Sequence, residues 1–182
     1  MQYRIRAAED SDIESLRDLI SLSAHSLSKG DYTYEQVEAA LMGVFGVDTQ
    51  LINDQTYFVV ETNTGRMVAC GGWSFRATLF GNDQLADRDP RRLDPSIEAA
   101  KIRAFFVHPD FARQGLGKKL LDHCEQCARE AGFKNLELGA TLPGKRLYEV
   151  CGYTAGVQVD HIMENGLVLQ VIPMYKTFED EI

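Results

Sequence analysis

The run FFVHPDFARQGLGKKLL at positions 105–121 constrains this chain more than any other segment. An apolar stretch stops at the His108-Pro109 turn, a basic glycine loop follows, and helical spacing begins at Leu116. The segment reads as a short strand, a turn and a tight loop opening an amphipathic helix, the β-α unit of an α/β chain. Gly115 and Gly117 bracket one apolar residue, with Arg113, Lys118 and Lys119 around them. The first N–H groups of a helix lack partners within it and carry a partial positive charge. Glycines let that backbone come close to a ligand, an arrangement that suits a pyrophosphate. Two other glycine loops do not fit. A Walker A loop needs G-x-x-x-x-G-K-[ST], which does not occur. A dinucleotide fingerprint needs a third glycine where Leu120 stands, and it opens the first β-α unit of its domain rather than a late one.

The window Ala112-Arg113-Gln114-Gly115-Leu116-Gly117 resembles motif A of the GCN5-related N-acetyltransferases, [QR]-x-x-G-x-[GA], with Ala112 at the first position and Arg113 bringing a charge beside it. Downstream, Leu147-Tyr148-Glu149-Val150-Cys151-Gly152-Tyr153 resembles the family's second signature, (Leu/Phe)-Tyr-Glu-x-x-Gly-(Phe/Tyr). Two signatures at the expected separation weigh more than either alone, and the detailed resemblance covers about residues 98–155. It implies a GNAT-type (acyl-CoA N-acyltransferase) fold, a mixed central β-sheet flanked by helices on both faces, and acetyl-CoA as cosubstrate. It further implies that the backbone of Phe105, Phe106 and Val107 pairs with the pantetheine arm as if with an added strand. A splay between the fourth and fifth strands exposes that backbone in the family. Arg113, Gln114, Gly115, Leu116, Gly117 and Lys118 would wrap the pyrophosphate, and Thr141 stands where many members carry an Asn that touches the cofactor. Tyr148 would protonate the departing thiolate. A phenol of pKa about 10 can donate to a thiolate whose acid form resembles cysteine, about 8.5. A tyrosine that merely anchors its short helix to the sheet is the plainer reading of the same residue. The implied activity is acetyl transfer to a primary amine of a small molecule or peptide, by direct attack in a ternary complex, in a monomer or homodimer. A catalytically silent acyl-CoA sensor or partner subunit, and a transferase of a longer acyl group, are the alternatives.

The base that accepts the amine proton has several candidates. Some family members carry a Glu on the fourth strand, but Lys101 stands at the nearest position here. Glu137, between Leu136 and Leu138, is expected to point away from their face and is the first candidate. Glu98, Glu61, His108 and His161 are further ones. Arg103, between Ile102 and Ala104, needs a partner if buried and reads as a salt bridge at the sheet face or a wall of the acceptor pocket.

With 182 residues the chain reads as one domain with a substantial core. A net charge of −8 argues against nucleic-acid binding, which wants a basic footprint. An anionic cofactor must therefore find a local patch, which Arg113, Lys118 and Lys119 supply. The start, MQYRIRAAEDSD, lacks the apolar segment of a signal peptide, and no run approaches the ~18 apolar residues of a membrane span. A cytoplasmic protein without membrane attachment is expected. Cys124 and Cys127 form a C-x-x-C beside His123, but no second cluster exists to complete a zinc site, and the spacing is that of a helix face. No metal and no disulfide are expected.

Along the chain, Tyr3–Arg6 alternates as a strand. Asp10 or Ser11 can cap the next element, Ser11 with Glu14 forming a capping-box pattern, ahead of Ile13, Leu16, Leu19 and Ile20. A second helix is expected from Thr33 to about Phe45. Strands follow at Tyr57–Glu61 and Arg66–Phe75 around the Asn63-Thr64-Gly65 turn, with a bulge at Gly71-Gly72. Residues 77–96 turn polar and proline-punctuated. They read as a loop insertion before the fourth strand, either a lid near the acceptor entrance or a surface excursion. The fourth strand is expected over Glu98–Val107, a helix from Leu116 to Gly132, and a fifth strand around Leu136–Leu138. A short helix over Gly144–Val150 precedes closing strands at Tyr153–Val159 and Leu167–Tyr175, joined by a turn near Asn165-Gly166.

Overall fold

The computed structural model describes residues 2–179. Alternation builds its sheet. In strand β2 (Tyr57–Thr62), Phe58 and Val60 join the core on one face, while Tyr57 and Val59 join the core on the other. A strand buried on both sides reads as a continuous apolar run, as YFVV does. Around it stand β1 (Tyr3–Ala7), β3 (Met67–Ser74), β4 (Ala100–Val107), β5 (Asn135–Ala140), β6 (Thr154–Ala155) and β8 (Val168–Thr177). Their order is β1-β2-β3-β4-β5-β8-β6, and β7 (Val159–Ile162) pairs with β8 alone. Among the strands of the described residues, only β4 and β5 pair in parallel; the other strand pairings are antiparallel.

Helix α1 (Ile13–Leu27), α2 (Tyr34–Leu41) and the one-turn α3 (Thr49–Asn53) cover the face that holds Tyr57 and Val59. On the opposite face, α4 (Leu116–Glu130) buries Leu116, Leu120, Leu121, Cys124 and Ala128. There it is joined by α5 (Lys145–Val150), which buries Tyr148.

Several boundaries differ from the sequence-based expectations. The Ser11–Glu14 box does not form. Glu9 and Asp12 make it instead, two residues earlier, with the Glu9 N–H donating to Asp12 Oδ2 at 2.8 Å. Asp12 is recruited because Arg6 on β1 grips both its oxygens at 2.7 and 2.8 Å. The helical pattern from Thr33 stops at Leu41, and α3 is an additional element whose first turn is capped by the Asp48 carboxylate. β4 begins at Ala100 rather than Glu98, because Glu98 is held in the Asp94 turn and ion-paired to Arg91 at 2.8 Å. The expected strand Tyr153–Val159 divides into β6 and β7, and the Asn165-Gly166 turn joins β7 to β8.

Two irregularities of β4 shape the molecule. First, β4 and β5 pair only at Ala100↔Leu136 and Lys101↔Glu137, so the strands part from Ile102 onward and leave a fork. Second, the β3–β4 register runs Gly72↔Arg103 and then Cys70↔Phe106, so Ala104 and Phe105 stand against the single Gly71. That is a bulge. Ala104 adopts φ +54°, a strained conformation for a residue with a side chain, held by the Tyr57 hydroxyl donating to its carbonyl at 2.9 Å. Gly71 is required because a Cβ there would meet the Phe105 ring at 2.6 Å.

The segment 77–96 is a packed strap and not a loose excursion. Leu93 is buried in the core, and Thr78 Oγ1 donates to the Asp89 carbonyl at 2.8 Å. Asn82 donates to the carbonyl of Phe45 at 2.9 Å. Arg103 reaches it from β4 by donating to the Gly81 carbonyl at 2.8 Å.

Candidate active site

A cleft of about 780 Å³ passes through the fork between β4 and β5. At one end it is lined by Leu116, Leu147 and Tyr148, which belong to the core on the α4 face. At the other it is lined by Phe45, Leu169 and Val171, which belong to the core on the α1 face. The opening therefore joins the two sides of the sheet, with the parted edge of β4 as its wall.

The loop before α4 supplies the polar end. Arg113 at φ +60° and Gly115 at φ +81° both take the left-handed conformation, and a Cβ on Gly115 would meet nothing within 4 Å. Left-handed residues in a turn gather backbone N–H groups around a concavity. Arg113, Gly115, Leu116, Gly117 and Lys118 line this end, and their N–H groups donate to no acceptor among the described residues. The first helical bond is Lys119 N–H to the Gly115 carbonyl, at 3.0 Å. Gly117 lets the helix start sit against Leu147, which a Cβ would approach to 3.1 Å. Ungrouped donors of this kind at a helix start are satisfied by water or by an anion. Arg146 adds a basic side chain to this end that sequence reading did not single out.

Of the residues expected to hold the cofactor, Phe105, Phe106, Val107, Arg113, Gly115, Leu116, Gly117, Lys118 and Thr141 line the cleft together. Gln114 does not. Set between two left-handed residues, its side chain accepts from the Tyr3 hydroxyl at 3.1 Å and donates to the Asp110 carbonyl at 3.4 Å. The Val107 N–H donates to Ser23 Oγ on α1, at 3.2 Å. Thr141 Oγ1 accepts from the Gly144 N–H at 3.1 Å, which leaves its own proton free to donate.

Tyr148 is fixed by edge contacts with Phe105 and Tyr153, at ring-centroid distances of 6.4 and 5.7 Å. Its hydroxyl makes no hydrogen bond to another described residue. Burial raises its pKa well above the ordinary tyrosine value, so it carries its proton at neutral pH.

Glu137 is not brought to this cleft. It lies at the closed end of the fork, opposite Lys101 in the β4–β5 register, and is ion-paired to the Lys101 ammonium. Burial also lowers the pKa of Lys101. Glu98 and Glu61 are likewise committed, to Arg91 and to Arg6. His108 caps the turn after β4, accepting from the Asp110 N–H at 3.1 Å. His161 stacks edge-on against Phe80 at 5.1 Å. Arg103, only 2% exposed, is paired to Asp48 at 3.0 Å. Burial lowers its pKa, and the carboxylate opposes that. Trp73 lies in the core, edge-on to Phe75 and Phe133.

The far end was not legible in the sequence. Its wall combines Val44 and Phe45 from the turn after α2, Phe80 from the strap, and Leu169 and Val171 from β8. Tyr32 clamps this end: its hydroxyl donates to the Gln170 carbonyl at 2.6 Å and accepts from the Leu142 N–H at 2.9 Å. Burial pushes its pKa up to about 12. A smaller cavity of about 300 Å³ under the strap is lined by Asp48, Arg76, Arg88 and Arg103. Those charges are paired with one another or with Asp54, so the cavity presents no open chemistry.

No group of three or more His, Cys, Asp or Glu side chains is placed to hold a metal among the described residues. Among the same residues, no helix is long and apolar enough to cross a membrane.

Comparison with known proteins agrees with this geometry. Residues 53–155, more than half of the chain, match the family described as an acetyltransferase (GNAT) domain. No curated protein matches the sequence. Among solved structures, a GCN5-related N-acetyltransferase of Rhodopseudomonas palustris superposes with a TM-score of 0.71 at 20% identity, over 98% of this chain and 97% of that one. The PaiA N-acetyltransferase of Thermoplasma acidophilum, in complex with coenzyme A, gives 0.66 at 13% identity, over 98% and 100%. YncA of Salmonella typhimurium, with its cofactor acetyl-CoA, gives 0.63 at 17% identity, over 100% and 97%. At these identities the structures speak for the fold, and the match over residues 53–155 speaks for descent: the chain belongs to the GNAT acetyltransferase family.

Proposed function

We propose that the protein is an acetyl-CoA-dependent N-acetyltransferase that acts on a primary amine by direct attack in a ternary complex. The observation that carries this reading is the union, in one cleft, of the parted β4 edge, the unpartnered N–H groups before α4, and Tyr148. The five N–H groups would hold the pyrophosphate of acetyl-CoA, aided by Arg113, Lys118 and Arg146. The backbone of Phe105–Val107 would receive the extended pantetheine arm, with Thr141 offering a hydroxyl. Bound there, acetyl-CoA supplies an activated thioester.

The chain's own groups then act on charge and protons. A backbone N–H of β4 would donate to the carbonyl oxygen, where negative charge develops. Tyr148, protonated at neutral pH, gives its Oη proton to the leaving sulfur. The new C–N bond replaces the C–S bond, the amine loses one proton to water, and Tyr148 is reprotonated from solvent. Glu137 is spent in its ion pair with Lys101, so the proton-accepting role goes to water rather than to that side chain.

The same ion pair favours a second reading, a silent acyl-CoA-binding subunit without a base. Calorimetry with acetyl-CoA and thiol release over a panel of amines separate the two. The transferase requires both binding and turnover, and the silent module only binding. Tyr148→Phe should keep acetyl-CoA affinity and lower turnover by about 10²-fold. Turnover within twofold of the parent would leave Tyr148 with a packing role only.

A further inference from the structure

We propose that the acceptor is a primary amine with an aromatic or other apolar body, and that it enters the cleft as the uncharged free base. This rests on the N-acetyltransferase reading and names the acceptor class of that site. The end of the cleft opposite the pyrophosphate loop is walled by Val44, Phe45, Phe80, Phe106, Leu169 and Val171. Phe45 and Phe106 meet edge to face at 5.8 Å, which shapes a slot for a flat or branched apolar group.

Charge points the same way. The cleft lining carries five cationic side chains, of which Arg103 is paired to Asp48 and Lys118 to Asp122, and one carboxylate, that of the exposed Asp31. Of the four acidic residues of the strap, Asp87 is exposed and does not line the cleft, and the other three are engaged elsewhere. Asp83 accepts from the Thr49 N–H at 2.9 Å, Asp89 from the Arg91 N–H at 2.9 Å and Asp94 from the Ser96 hydroxyl at 2.6 Å. Apart from the exposed Asp31, an ammonium that moved into this end would meet no carboxylate of the lining and would lose its water, and a group so placed sheds its proton instead. A polycationic acceptor would also meet the basic groups that suit the cofactor.

The titratable and charged groups around this end fit that account. Lys29 and Asp31 sit on the α1–α2 connection, and Arg103 on β4 is paired to Asp48. The Tyr32 hydroxyl is engaged at both its donor and acceptor sides. His161 on β7 stands behind the Phe80 ring, and Tyr148 on α5 is the proton donor. None of these is a carboxylate inside the apolar end. Deprotonation therefore precedes binding, and the nitrogen arrives with its lone pair free to attack.

The test measures kcat/KM across pH for 2-phenylethylamine, a series of ring-substituted benzylamines, n-butylamine, spermidine and an aminoglycoside. Aryl amines should exceed spermidine by about tenfold or more. Each profile should rise and level off at that amine's own pKa, shifting along the benzylamine series. Phe45→Ala and Phe80→Ala should raise KM for 2-phenylethylamine by about tenfold, as expected for lost apolar burial, and change KM for n-butylamine less. Acetyl-CoA affinity, read by calorimetry, should stay near the parent value in both variants. A preference for spermidine, or a common inflection for all amines, would overturn the inference while leaving the transferase reading intact. Failure of every amine to release thiol from bound acetyl-CoA would overturn both.

Discussion

Gly115 concentrates the physics of the cofactor end in one residue. Its φ of +81° is cheap for glycine but costs most side chains about 1–2 kcal/mol, with Asn and Asp the best tolerated replacements. A side chain there would project into open space at the mouth of the pyrophosphate concavity. Gly115→Asp and Gly115→Asn share backbone preference and size, so their difference isolates charge. Gly115→Asp should weaken coenzyme A binding by about tenfold or more, which corresponds to about 1.4 kcal/mol, and Gly115→Asn should weaken it several-fold less. Equal affinities by calorimetry would remove the phosphate from this loop. Residues of this kind were legible because their chemistry is local: a glycine pair, a basic neighbour and a Tyr-Glu signature lie within short windows. Gln114 and Glu137 sit in or near the same windows, yet their side chains go elsewhere. The direction of Gln114 depends on the left-handed residues on either side, and the partner of Glu137 on the β4–β5 register. Neither is written in nearby sequence.

Among elements, long amphipathic helices and hairpins were legible and short elements were not. α4 repeats its apolar positions over four turns, whereas α3 spans five residues, too few to display a period. Its one signal was Asp48, a capping residue without a visible helix behind it. The capping box before α1 lies two residues from its expected place because a distant charge decides it. Arg6 on β1 binds Asp12 through both oxygens and also donates to Glu61 on β2 at 2.6 Å. That hydrogen bonding holds the Asp12 carboxyl below its ordinary pKa of 3.8, against a burial that pushes it upward. The sign follows from linkage. A group whose folded pKa is depressed contributes stability that is fully present above the unfolded value and is lost as pH falls through the folded one. Asp12→Asn should therefore be less stable than the parent at pH 7, with the gap closing below about pH 4. Urea midpoints measured from pH 7 to pH 2.5 check this; a gap that does not shrink on acidification would assign Asp12 a purely geometric role.

At the scale of the molecule, the cleft exists because segments far apart in sequence meet at the fork. The β4–β5 unit and α4 supply the end proposed for the pyrophosphate, and those elements follow one another in sequence. The acceptor end draws on the turn after α2, the strap 77–96 and β8, and no window of sequence contains all three. The strap joins them through a buried charge cluster. Asp48, 3% exposed, accepts from Arg103 at 3.0 Å and pairs with Arg88 of the strap at 2.6 Å, while Arg103 donates to the strap carbonyl of Gly81. Removing the shared carboxylate charge leaves the Arg103 guanidinium buried with carbonyl partners alone. A buried pair broken on one side typically costs about 3–5 kcal/mol. Asp48→Asn keeps the volume and an oxygen for the α3 cap, so it isolates that charge. It should lower unfolding stability by about 3 kcal/mol, and limited proteolysis should cut first within residues 77–96. Below its melting temperature the variant should retain acetyl-CoA affinity, since the pyrophosphate loop shares no group with the cluster, but show a raised acceptor KM as Phe45 and Phe80 lose their fixed positions. A urea-derived loss under about 1 kcal/mol, or cleavage no faster than in the parent, would mean that packing and backbone hydrogen bonds hold the strap without its charges.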